Sequence, residues 1–158
     1  CLDYWTRELA LPIREMKREV ADLIALRPAA DEFLAALREA GKQVVLITNA
    51  HRDSLSLKLE RVELAPSFDR LIRSHDDGFP KEEAQFGYAL KQDIDFDPGR
   101  TLFIDDNLPI LRSARRFGVA QLLAVSEPDS RRGRKDTEEF AAVEDYRELI
   151  RALQGVQP

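Results

Sequence analysis

The chain has 158 residues, 44% hydrophobic and 34% charged, with 7 Gly and 8 Pro. That is one globular domain of ordinary composition, which excludes disordered, collagen-like and low-complexity classes. Twenty-four Lys and Arg against 29 Asp and Glu leave a net charge of −5, which disfavours a nucleic-acid partner because phosphate-backbone affinity rests on a net basic face. No apolar run approaches the roughly 20 residues of a bilayer span, and the one cysteine, Cys1, cannot form an internal bridge, so a cytoplasmic chain is expected. The sequence opens at Cys1 without an initiator Met or a secretory pattern, and its natural start is expected to lie upstream.

Apolar spacings of three and four predict helix over residues 1 to 26, broken at Pro12. A second helical stripe runs from Ala30 to Ala40 with Gly41 as its C-terminal cap. Gln43 to Ile47 is apolar and β-branched without alternation, the pattern of a strand buried on both faces, and it ends at Thr48. Helix is expected from Asp53 to Glu63, strand over Leu71 to Arg73, and a turn from Ser74 to Pro80. Lys81 opens a helix that closes before Asp97-Pro98-Gly99. A second buried strand, Thr101 to Ile104, ends at Asp105-Asp106. Helix follows from Leu108 to Phe117 with Gly118 behind it, then strand from Val119 to Val125, a surface loop from Ser126 to Glu139 and a closing helix from Val143 to Leu153. Strand and helix alternate after Arg27, which predicts an α/β fold with a mainly parallel sheet and right-handed crossovers.

In such sheets ligands gather beyond the carboxyl ends of the strands. Thr48-Asn49 and Asp105-Asp106 both fall there. Adjacent carboxylates repel and lose solvation, a cost that a hard cation such as Mg²⁺ offsets. The Thr48 hydroxyl and nearby amides suit phosphate oxygens, and Lys81 suits their charge. Each has an ordinary alternative by itself: Asp-Asp as a helix cap beside a solvated acid, Thr-Asn as turn chemistry, Lys81 as a surface lysine. Their order along one predicted sheet edge favours phosphoryl transfer.

Leu46-Ile47-Thr48-Asn49, Phe79-Pro80-Lys81 and Leu102-Phe103-Ile104-Asp105-Asp106-Asn107 resemble, in order and spacing, motifs II, III and IV of the haloacid dehalogenase-like (HAD) hydrolases. Tyr4-Trp5, Ala50-His51, Glu82, Arg100-Thr101 and Pro128-Asp129-Ser130 extend the resemblance toward the GMP/IMP nucleotidase branch. The resemblance implies a three-layer Rossmann-like core over residues 27–158 that lacks its first strand, preceded over residues 1–26 by the end of a helical cap. It implies a Mg²⁺-dependent phosphomonoesterase acting through an aspartyl-phosphate on a small phosphorylated metabolite, a purine 5′-nucleotide above all. Thr48 and Asn49 would hold the phosphoryl group, Lys81 would bridge nucleophile and phosphate, Asp106 would bind Mg²⁺ directly, and Asp105 would act through a coordinated water or the nucleophile's shell. His51 stands where the branch has a substrate-side histidine.

Two departures bear on this. Many relatives carry a further acid one turn after the metal ligand, where this chain has Ile110, so Asp105 is expected to supply that charge. The Asp-x-Asp-Gly-Thr of motif I, with its nucleophile and general acid, does not occur in the 158 residues, so these residues alone are expected to be inactive. The alternatives are a phosphoglycolate-type phosphatase, a 2-haloacid dehalogenase, which lacks the Asp-Asp pair, and a non-catalytic phosphate-binding protein. A receiver module is disfavoured because its acids precede its Thr and Lys. Trp5 is expected to pack in the core, Phe79 either to pack or to stack on a base, His75 to sit in a solvated turn, and the basic run Arg131 to Lys135 to be a solvated loop that can close over an anionic substrate.

Overall fold

The structure, a computed structural model, describes residues 2–129 and 132–155. They form two compact units, one running to Asp76 and taking in Leu149 onward, the other Asp77–Glu148.

The first unit begins with α1 (Leu2–Leu9) and α2 (Ile13–Glu19), separated at Pro12, whose ring cannot continue a helix. Neither helix buries a residue. Their apolar stripe stays exposed, and Trp5, expected in the core, is 52% accessible and packs edge-on against Tyr4. Helix α3 (Ala30–Glu39) buries Phe33. It ends in a Schellman motif, with Gly41 at φ +63° and bonds from Lys42 N to Leu37 O and Gly41 N to Arg38 O. Strand β1 (Val45–Thr48) follows, then α4 (Arg52–Val62), β2 (Arg70–Arg73) and the short α5 (Ser74–Asp77). Strands β1 and β2 pair in parallel from Val45 opposite Arg70 to Thr48 opposite Arg73. That register is pinned at its start: Val44 N donates to Asp69 Oδ2 at 2.7 Å and Asp69 N donates to Val44 O at 2.8 Å.

The second unit holds α6 (Ala84–Asp93), β3 (Leu102–Asp105), α7 (Leu108–Phe117), β4 (Gln121–Val125) and β5 (Ala141–Val143), and α8 (Tyr146–Gly155) starts within it. Its sheet has the order β3-β4-β5, all parallel. Helix α7 covers this sheet through Ile110 and Leu111. Leu111, Ala124 and Phe140 form its centre, with Phe103, Leu108 and Leu122 packed around them. Burying each such large side chain contributes about 1.5–3 kcal/mol. Gly118, at φ +101°, ends α7 with bonds from Val119 N to Ala114 O and Gly118 N to Arg115 O.

The alternation and the parallel pairing agree with the sequence. Four segments differ. Residues 20–26, expected as helix, form a single 3-10 turn at Ala21–Leu23 before the chain becomes extended at Ile24. Ser74 to Asp77 is a short helix rather than a turn. Pro80–Glu83 is a turn closed by Glu83 N to Pro80 O, so α6 starts at Ala84 and not at Lys81. Ala141–Val143, a stretch that runs up to the expected helix start at Val143, is a third parallel strand, and the closing helix begins only at Tyr146.

Candidate active site

Strand β1 delivers Thr48 to its carboxyl end, where the chain turns into α4. The Thr48 Oγ1 accepts from Ala50 N at 2.9 Å, tightening the turn that contains Asn49. His51 caps α4 in extended backbone, and its Nδ1 accepts from Asp53 N at 3.4 Å. Its Nε2 lies 3.1 Å from Asp3 Oδ2 in α1. These residues belong to the first unit.

In the second unit the Pro80–Glu83 turn aims Lys81 at the end of β3. Lys81 Nζ donates to Asp105 Oδ2 at 2.6 Å, and both side chains are nearly buried, at 10% and 8% exposure. The other Asp105 oxygen accepts from Asn107 N at 2.9 Å. Two charge-assisted bonds therefore hold this carboxylate, as burial of an ion requires. Asp106, by contrast, is half exposed and lies 3.5 Å from Lys135 Nζ. Lys135 is held in place by its own N–H on Ser126 O at 2.7 Å. With Asn107, Leu108, Val125, Asp136 and Thr137, Asp106 and Lys135 line a hollow of about 500 Å³ at the carboxyl end of β4.

The donor set suits a hard cation. Asp106 is an accessible carboxylate at a strand end, and Mg²⁺ typically takes one or two carboxylates and completes its octahedron with waters and phosphate. No group of three or more His, Cys, Asp or Glu is gathered as an all-protein cage among the described residues. Ile110, in the place of the extra acid, is buried at 4% exposure in the core.

The remaining sequence candidates divide. His75 is exposed in α5 and Phe79 is 38% exposed. In the basic run, Arg132 meets Asp129 at 3.4 Å and Arg134 pairs with Glu144, while Ser130 and Arg131 lie outside the described residues, as does Cys1. The sequence did not single out Lys135 as the neighbour of Asp106, nor Arg14 and Lys17, which reach Asp53 and Ser54. The signal available for the latter was their spacing of three on α2, which puts both on one helix face.

Parallel α/β units with Thr-Asn, Lys and Asp-Asp at successive strand ends and turns define a HAD-type hydrolase core. Residues 6–118 match the haloacid dehalogenase-like hydrolase family, described as hydrolases, and the chain belongs to that family. It is similar to the GMP/IMP nucleotidase YrfG of Escherichia coli (strain K12), with 40% identity over 153 residues that cover 97% of this chain and 69% of that protein. Among solved structures it resembles a HAD phosphatase from Thermococcus onnurineus, with TM-score 0.78, 19% identity and coverage of 97% and 70% of the two chains. It also resembles an L-2-haloacid dehalogenase from Xanthobacter autotrophicus, with TM-score 0.66 and 20% identity. In that case 82% of this chain matches, spanning 61% of the dehalogenase. The structural likenesses carry the fold and no further.

Proposed function

We propose that these residues form the phosphate- and metal-binding part of a Mg²⁺-dependent phosphomonoesterase acting on purine 5′-nucleotides of the GMP and IMP type. The observation that carries the proposal is the 40% identity with a GMP/IMP nucleotidase over 97% of the chain, supported by the buried Lys81–Asp105 pair beside an exposed Asp106.

The roles follow from the local chemistry. The Thr48 hydroxyl and the Asn49 amide, at a strand end before a helix N-terminus, hold phosphoryl oxygens. His51 adjoins this turn on the substrate side. Lys81 is fixed in one orientation by Asp105, so its charge is already placed when negative charge builds on the transferring group, and no reorganisation is needed at that moment. Asp106 would hold the metal, and Asp105 holds Lys81 in place beside it. Bound Mg²⁺ would supply charge neutralisation for the phosphoester. No Asp-x-Asp-Gly-Thr occurs in the 158 residues, so attack on phosphorus, with formation of an aspartyl-phosphate, falls to a carboxylate outside them. On the same reading residues 1–26 are the end of a helical cap, residues 27–158 are core, and the protein works in the cytoplasm without nucleic-acid or membrane partners.

The test is phosphate release from GMP, IMP and a panel of small phosphomonoesters by the protein expressed from its complete reading frame, with and without Mg²⁺. Mg²⁺-dependent turnover with preference for GMP and IMP is expected. Activity confined to a non-nucleotide ester would move the substrate to another phosphatase class, and silence across the panel would leave a phosphate-binding protein.

A further inference from the structure

Three contacts join the helices of residues 2–19 to the first turn of α4. Asp3 of α1 meets His51 Nε2 at 3.1 Å. Arg14 of α2 pairs with Asp53. Lys17, one turn further along α2, donates to Ser54 Oγ at 2.7 Å. The receiving side chains of His51 and Asp53 are largely withdrawn from water, at 17% and 20% exposure, whereas Asp3 and Arg14 are 77% and 55% exposed. The His51 ring is used at both nitrogens, and the tautomer that satisfies Asp53 N–H at Nδ1 carries its proton on Nε2, toward Asp3.

Isolated surface ion pairs contribute little to stability. What distinguishes these is where they converge. His51, Asp53 and Ser54 follow the Thr48–Asn49 turn directly, and within that turn Ala50 N donates to Thr48 Oγ1. Whatever fixes the first turn of α4 therefore fixes the Thr48 hydroxyl and the amides beside it. The charge-assisted hydrogen bonds such groups give a phosphoester depend on their geometry.

We infer that Asp53 and His51 are positioning residues, through which Arg14, Lys17 and Asp3 of the N-terminal helices set the geometry of the Thr48–Asn49 turn. This rests on the reading in which that turn binds the phosphoryl group. In this role both act through the backbone of the turn. Their effect falls on phosphoester binding.

The experiment uses the protein from its complete reading frame and compares wild type with R14E, R14K, R14A, D53A and R14A/D53A. The readouts are KM and kcat for GMP with Mg²⁺, together with Tm. R14E is expected to raise KM about five- to tenfold with kcat within about twofold, and R14K to stay within about twofold of wild type in both because it keeps the charge. R14A/D53A is expected to be no worse than the poorer single variant, as befits one interaction. Tm should move little in R14E and R14K, since the altered side chain is the exposed partner. An active wild type whose KM is unmoved in R14E, or single-variant effects that simply multiply in R14A/D53A, would overturn the inference while leaving the nucleotidase reading intact. A wild type that releases no phosphate from any ester would instead remove that reading, and the inference with it.

Discussion

Lys81 Nζ lies 2.6 Å from Asp105 Oδ2, with both groups almost excluded from water. Removing one partner of such a pair leaves the other as an uncompensated buried charge, with Asp105 still accepting from Asn107 N. K81M is therefore expected to lower stability by about 3–5 kcal/mol, read as a shift in the urea midpoint at unchanged m-value. K81M/D105L, which removes both charges, should recover part of that loss. A double variant as unstable as the sum of its singles would mean that the two groups do not interact in solution.

Helices α6 and α7 touch at Gly87. A Cβ placed there would stand 2.7 Å from the ring of Phe117. That ring is already flanked by Tyr88 and Phe96, at centroid distances of 5.3 and 6.2 Å. In G87A the gain in helix propensity, up to about 1 kcal/mol, is set against about 1–3 kcal/mol of overpacking. A lower Tm is expected in a thermal melt. A raised Tm would show that Phe117 yields without cost.

Arg112 gathers Glu138 and Glu139 from the end of the long loop, at 2.5 and 2.9 Å. The hydrogen bond from Arg112 is the first cause that draws the Glu139 carboxyl down from its ordinary 4.5 to about 2. A depressed carboxylate contributes stability above its unfolded value and loses it as pH falls through its folded value. The Tm difference between wild type and R112A should thus be present at neutral pH and shrink from about pH 4.5 toward pH 2. These side chains face solvent, so the difference is small. A gap that stays constant over that range would assign the effect of R112A to lost packing.

Asp106 is the accessible acid of the pair. For the protein from its complete reading frame, Mg²⁺ at about a hundredfold its dissociation constant should stabilise the fold by about 2.7 kcal/mol, and EDTA should reverse this. D106N should abolish the Mg²⁺-dependent rise in Tm. An undiminished rise in D106N would place the metal elsewhere.

Much of the fold was legible because it is written in periodicity. The apolar runs before Thr48 and Asp105 are strands, and Gly41 and Gly118 end helices at positive φ where a Cβ would be strained. Strand β5 was hidden because Ala141-Ala142 carries little β preference. It forms through its partners: Phe140 enters the core beside Leu111, and Ser126 N donates to Val143 O. Lys81 was misplaced onto a helix because Glu83, which caps α6, offers no side-chain cap bond to announce it. The stripe containing Trp5 predicted the helix correctly but not the packing, since Trp5 stays exposed. At the site, the order of Thr48, Lys81, Asp105 and Asp106 was legible, and so was the chemistry each residue type suits. The contacts of Arg14, Lys17 and Lys135 were not: a spacing of three put Arg14 and Lys17 on one helix face, but partners more than 25 residues away leave no period that names them.

On the proposed function, the Thr48 hydroxyl binds the phosphoryl group of the substrate. This is tested most directly by kcat/KM for GMP with Mg²⁺ in T48V and T48S, the protein being expressed from its complete reading frame. T48V is expected to cost about a hundredfold or more, and T48S, which keeps the hydroxyl, to stay within about tenfold of wild type. A T48V enzyme within about twofold of wild type would contradict it.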